Sequence, residues 1–118
     1  MVHGNKNRTF GRPRNQRTAL MRGLAVSLIR YGKIKTTEAK AKELRSFIER
    51  LVTHGKKNTV AARRIVASRL GEPSAAVIKK VFDEIAPKFA ERAGGYTRVI
   101  KVGRTQAGRD EAVIEFVE

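Results

Sequence analysis

Three observations predict that this chain folds as an α+β protein: a two-layer α/β domain carrying an extended basic N-terminal arm. Residues Met1 to Arg14 hold the breakers Gly4, Gly11 and Pro13 and offer Phe10 as their one large aromatic side chain, so they cannot bury a core of their own. Between Leu20 and Ile85 the apolar residues recur at helical spacing. After Gly94-Gly95 the period shortens from about 3.6 to about 2. Together these give the order helix, strand, three helices, two strands, with helices covering one face of a small mixed sheet. Residues 1–14 form the arm and residues 15–118 one globular domain.

Each element has its own signals. Asn15 is the expected N-cap of the first helix, whose apolar positions are Leu20, Met21, Leu24, Ala25 and Leu28, and Gly32 stops it. Lys33 to Thr36 is a short strand around Ile34. Thr37 caps the second helix, with Glu38 in its first turn and an inward row at Ala41, Leu44, Ile48, Leu51 and Val52 ending before Gly55. Asn58 opens the third helix, with Ala62, Ile65, Val66 and Leu70 inward, and Gly71 and Pro73 end it. Ser74 caps the fourth, which buries Ile78, Val81, Phe82 and Ile85 and is expected to end near Ala86, because Pro87 disfavours helical geometry in the residue before it. Tyr96–Val102 and Ala112–Val117 are rich in β-branched and aromatic residues, and Gly103 to Glu111 joins them as a hairpin loop.

Charge is polarised along the chain. The net charge is +15 on 118 residues, and no Asp or Glu precedes Glu38. Nine Lys or Arg fall in that acid-free opening, whereas the stretch from Gly71 to Glu118 balances eight basic residues with eight acidic ones. A chain that keeps such self-repulsion normally has phosphates to neutralise it, so a nucleic acid is the expected partner. A solubilising basic face explains an acid-free opening poorly. No stretch approaches the roughly 20 apolar residues of a membrane span, and no basic amphipathic segment carries Trp.

Catalytic and metal chemistry find little support. The chain has no cysteine, which removes disulfides, thiolate zinc sites and cysteine nucleophiles. His3 and His54 stand in no triad or metal motif; His54, at the end of the second helix, is expected to act as a favourable charge at a helix C-terminus. Gly103 and Gly108 have the spacing that opens a phosphate loop, but Arg109-Asp110 follow where Lys and Ser or Thr are required. The pairs Asp83-Glu84 and Asp110-Glu111 do not converge on one site. Tyr31, Phe47, Phe82 and Phe116 fit core positions, leaving Phe10 and Tyr96 as candidates for stacking on bases.

The order and spacing of several motifs identify a family resemblance over nearly the whole chain. They are His3-Gly4 with Arg8 and Gly11-Arg12-Pro13, then Arg17, Ala19-Leu20, Arg22, Leu24-Ala25 and Ser27-Leu28. Ile34-Lys35-Thr36-Thr37 follows, leading into Ala39-Lys40-Ala41-Lys42-Glu43-Leu44-Arg45. Phe82, Ile85-Ala86-Pro87 and Arg92-Ala93-Gly94-Gly95-Tyr96-Thr97-Arg98 complete the pattern. The chain thus resembles the bacterial large-subunit ribosomal proteins of the L-seventeen family. Val2, Asn5 and Asn7 depart from residues common in that family, and the loop Arg104 to Asp110 lacks its Pro-Met pair.

The resemblance implies a non-catalytic structural constituent of the large ribosomal subunit, without cofactor, metal, small-molecule substrate or membrane. It implies binding to large-subunit ribosomal RNA near the peptide exit side, beside members of the L-thirty-two and L-twenty-two families. The location implied is the cytoplasmic ribosome, an organellar ribosome being left open. The expected RNA contacts are His3, Gly4, Lys6, Arg8, Phe10, Arg12 and Arg14 in the arm, Arg17 and Arg22 in the first helix, and Lys33 and Lys35 in the first strand. Lys56, Lys57, Arg63, Arg64 and Arg98 complete the set. The competing expectation is a bacterial DNA-binding or chromosome-organising protein, since short basic helices and arms also serve duplex recognition.

Overall fold

The computed structural model of the chain describes residues 14–117. Helix α1 (Arg14–Tyr31) leads through Gly32 into strand β1 (Lys33–Thr37), followed by α2 (Glu38–Gly55) and α3 (Val60–Arg69). A fourth helical segment, α4, runs as α-turns over Ala75–Lys80, a π-helical turn over Val81–Ile85 and a short α-turn over Ala86–Lys88. Strands β2 (Thr97–Arg104) and β3 (Asp110–Phe116) close the chain. The predicted order and the α+β class are those observed.

The sheet differs from expectation in one respect: it is antiparallel throughout instead of mixed. Strand β3 lies between β1 and β2 and pairs antiparallel with both, Ile34 facing Ile114 on one side and Val99 facing it on the other. β1 and β2 run the same way, with the helices α2 to α4 connecting them, but the last strand separates them. A bulge between Lys101 and Gly103 shifts the register near the hairpin. The loop is shorter than the nine residues expected, since pairing continues to Arg104 and Asp110.

One face of the sheet is covered by α2, whose buried row Ala41, Leu44, Ile48, Leu51 and Val52 meets Ala112 and Ile114. Fully burying each large aliphatic side chain contributes about 1.5–3 kcal/mol, so this row is the main source of cohesion between the layers. Thr37 caps α2 as predicted, its hydroxyl oxygen accepting from the Lys40 N–H at 3.4 Å. Gly55 does more than stop that helix. It is buried inside the last turn, where a Cβ would stand 3.0 Å from Ala86 Cβ and 3.2 Å from Val81 Cγ1, so glycine lets α2 and α4 approach closely.

Five local expectations are corrected. Arg14 is already helical, so it belongs to α1 and not to the arm, and Asn15 lies within the helix instead of capping it. Thr59, not Asn58, caps α3: its hydroxyl accepts from Ala62 N–H at 3.0 Å, while Asn58 takes a positive φ of 46°. Ile65 is 38% exposed, because the inward row of this short helix is Ala62, Val66 and the adjoining Leu70. α4 continues past Pro87: the Ala86 N–H reaches five residues back to the Val81 carbonyl, and this wider π-turn accommodates a ring that would clash in a regular helix.

Candidate nucleic-acid interface

Partners within the fold sort the predicted cations into three groups. The first group holds the domain together. Arg22 reaches from α1 to the end of α3, its Nε donating to the Arg69 carbonyl at 3.1 Å and its Nη2 to the Ser68 carbonyl at 3.4 Å. These belong to the last turn of a helix, where carbonyls lack intrahelical donors. Gly71, at φ +77°, leaves the space that Arg22 crosses, since a Cβ there would lie 3.0 Å from Arg22 Cδ. Lys56 donates to the Arg92 carbonyl and to the Tyr96 hydroxyl at 3.0 Å. Arg63 donates to Asn58 Oδ1 at 3.0 Å, lies 4.6 Å from the Phe82 ring centroid and stands 3.8 Å from Asp83.

The second group is neutralised along the strands. Lys35 lies 3.6 Å from Glu111, and Arg98 donates to Glu115 at 2.7 Å. Lys101 lies 3.5 Å from Glu38, Arg104 3.8 Å from Asp110 and Arg109 3.7 Å from Glu111. Glu38 also takes a 2.9 Å contact from Lys42, which with Lys101 holds its carboxyl below the usual range. Each pair is exposed enough to contribute little stability. Their effect is on the field: phosphate approaching these strands meets cations already matched by carboxylates.

Arg14, Arg17, Lys33, Lys57 and Arg64 form the third group, with side chains making no hydrogen bond or ion pair to another described residue. Arg30, Arg45, Arg50, Arg69 and Lys88 share that state and are exposed, although the sequence reading did not select them. Arg45 and Arg50 stand off the apolar row of α2, and that spacing was a signal available in the sequence. The remaining candidates His3, Gly4, Lys6, Arg8, Phe10 and Arg12 lie outside the described residues.

The first half of α1 meets the last turn of α3 through Arg22. Arg14, Asn15, Thr18 and Arg22 line a groove of about 510 Å³, and Arg22 ties that groove to Arg69. His54 lies in the same field. Burial first, then the charges of Arg69 and Lys57, holds its imidazole below the ordinary value of 6.5. It therefore favours the neutral form, contrary to the expected role as a positive helix-terminal charge.

The aromatic assignments are reversed for two tyrosines. Tyr96 is 2% exposed, packed 5.1 Å from Phe89 between ring centroids, and the hydrogen bond from Lys56 holds its phenol below the usual range. It is a core residue and does not stack on bases. Tyr31, expected inside, is 72% exposed at the end of α1. The turn before Tyr96 is held by a residue that the sequence reading missed: Glu49 of α2 accepts from the Gly95 N–H at 3.1 Å, the Thr97 N–H at 3.2 Å and the Thr97 hydroxyl at 3.0 Å.

No helix of the described residues is long and apolar enough to cross a membrane. The family described as "Ribosomal protein L17" matches residues 20–117 of the chain. Among similar proteins is "Large ribosomal subunit protein bL17" of Persephonella marina, 52% identical over 120 residues, covering 100% of this chain and 96% of the relative. The protein of the same name from Thermodesulfovibrio yellowstonii is 50% identical over 119 residues, covering 100% of this chain and 88% of the relative. That of Clostridium botulinum is 48% identical over 111 residues, covering 93% and 96%. With a profile match across the folded domain and relatives of half-identical sequence from end to end, the chain belongs to the L-seventeen family of ribosomal proteins, non-enzymatic structural constituents of the large ribosomal subunit.

Proposed function

We propose that the protein binds and stabilises large-subunit ribosomal RNA, using the cations of its helices and of the α2–α3 turn that pair with no other described residue, together with the basic arm. The supporting observation is the division of charge. The strand cations Lys35, Arg98, Lys101 and Arg104 are matched by carboxylates, while Lys33 at the start of β1 and Arg14, Arg17, Lys57, Arg64 and Arg69 pair with no carboxylate among the described residues. Arg adds a planar fork that binds phosphate oxygens in pairs. The arm, with Lys6, Arg8 and Arg12, joins the domain at Arg14, beside the basic groove. An extended basic segment can enter phosphate-lined crevices of folded RNA that exclude a globular domain. Membership of a ribosomal family favours this reading over the DNA-binding alternative. The finer placement, in the bacterial cytoplasmic ribosome near the peptide exit side and beside members of the L-thirty-two and L-twenty-two families, rests on the family resemblance.

Salt-dependent binding to a large-subunit ribosomal RNA transcript tests the reading. Replacing Arg17, Lys57 and Arg64 together by Gln should lower the slope of log K against log salt by about 2, at about 0.7 per lost phosphate contact. Replacing Lys35, Arg98 and Lys101 should change it by much less. Equal effects from the two triples would remove the helical face as the electrostatic anchor. Deleting residues 1–13 should lower the slope by about 2 as well, since three cations are lost.

A further inference from the structure

An exposed aromatic ring that lines a cavity offers a flat apolar face to whatever enters it, and Tyr31 is such a ring. Its backbone is held in place. Gly32, at φ +78°, ends α1 with its N–H donating to the Leu28 carbonyl at 2.8 Å, so the backbone that carries Tyr31 is held by the helix cap. From the opposite side Lys80 of α4 donates to the Arg30 carbonyl at 2.7 Å, which fixes α4 against the end of α1. Between them lies a cavity of about 580 Å³. Its apolar lining includes Ile85, Phe89 and Phe116, and its polar lining is Lys80, Lys88 and Glu84. That volume is within the usual range for sites that take small organic groups.

We propose that this cavity receives one unstacked base of large-subunit ribosomal RNA, with Tyr31 as the stacking surface and Lys80 and Lys88 as contacts for the flanking phosphates. The inference rests on the RNA-binding reading above and adds a specific nucleotide site to it. Charge complementarity selects the occupant. Two lysines face one carboxylate at the cavity, and Arg30 and Lys33 flank Tyr31 in the chain, so an anionic polymer carrying flat apolar faces fits better than an acid-free apolar peptide. Glu84 offers acceptors only, which favours a base edge bearing an amino group.

The test uses the full chain, a large-subunit ribosomal RNA transcript and a transfer RNA control. Tyr31→Phe retains the ring and should bind like the wild type. Tyr31→Ala should weaken binding about 5- to 150-fold, the range for losing one stacked base, without altering the salt slope. Lys88→Gln should lower the slope by about 0.7 to 1. Ultraviolet crosslinking of the wild-type complex should leave a nucleotide adduct on Tyr31. Because Tyr31 is largely exposed, circular dichroism of both tyrosine variants should match the wild type.

A wild type that binds the transcript no better than transfer RNA would overturn the broader reading and the base site with it. Specific wild-type binding, unchanged in Tyr31→Ala and without an adduct on Tyr31, would overturn the base site alone. So would a Tyr31→Ala protein that keeps its RNA affinity but assembles into large subunits lacking a neighbouring protein, which would assign the cavity to a protein side chain.

Discussion

Replacing Glu49 by Ala should destabilise the domain by about 2–3 kcal/mol, because one carboxylate holds the entry of β2 through three donors. Hydrogen bonds to a charged group are worth about 1.5–3 kcal/mol each, so simple addition would give far more. Solvent decides the discount. Gly95 is exposed and its N–H finds water when the carboxylate leaves, whereas Thr97 is 7% exposed and its N–H and hydroxyl lose their partner inside the fold. Glu49→Gln keeps one carbonyl oxygen for Thr97 but turns an amide donor toward Gly95, so about 1–2 kcal/mol is expected. At about 4 °C per kcal/mol for a domain of this size, the Ala variant should melt about 8–12 °C lower. Calorimetry and urea titration measure the loss, and hydrogen exchange should show faster exchange at the Thr97 amide. Glu91→Gln, an exposed acid, serves as the control and should stay within about 0.5 kcal/mol of wild type. Wild-type melting of Glu49→Ala, or an equal loss in the control, would refute the clamp.

Lys56→Met removes the donor shared by the Arg92 carbonyl and the Tyr96 hydroxyl, and urea melts should show a loss of about 1–3 kcal/mol. Gly55→Val inserts a branched side chain where even a Cβ meets Ala86 at 3.0 Å; α2 and α4 must separate, and a loss of about 1–3 kcal/mol is expected in the same assay. The depressed His54 pKa makes the unfolded chain the stronger proton binder below the ordinary value of 6.5. Stability should therefore be full above that pH and decline as pH falls through the folded-state pKa, and His54→Gln should remove this part of the slope in urea midpoints measured across the range.

The element order was legible in the sequence because it rests on local signals. A helical row such as Leu44, Ile48 and Leu51 must face one side wherever the helix docks, and Thr37 caps through a neighbour three residues away. Gly95, predicted to turn the chain before the β-period, takes φ +66° in the fold. Local signals were weakest at boundaries. Pro87 looked like a stop because the rule assumes a regular α-turn, and the π-turn before it removes the clash on which the rule depends.

Charge polarisation along the chain, too, was set by the sequence alone: the opening 37 residues hold nine cations and no acid, so any carboxylate that meets them must come from a later part of the chain. Which cations remain free is a tertiary outcome. Lys35 is neutralised by Glu111 and Lys101 by Glu38 because β3 inserts between β1 and β2 and α2 starts beside the sheet. Arg22 is taken by carbonyls 46 and 47 residues away, and Glu49 by amides at a similar separation. Tyr31 and Tyr96 exchange their expected places for the same reason, since each sits next to an element boundary where periodicity no longer says which way a ring points. Spacing along the chain fixes what a residue can do with its near neighbours; whether a charge or a ring is left for RNA depends on partners that only the folded chain brings within reach.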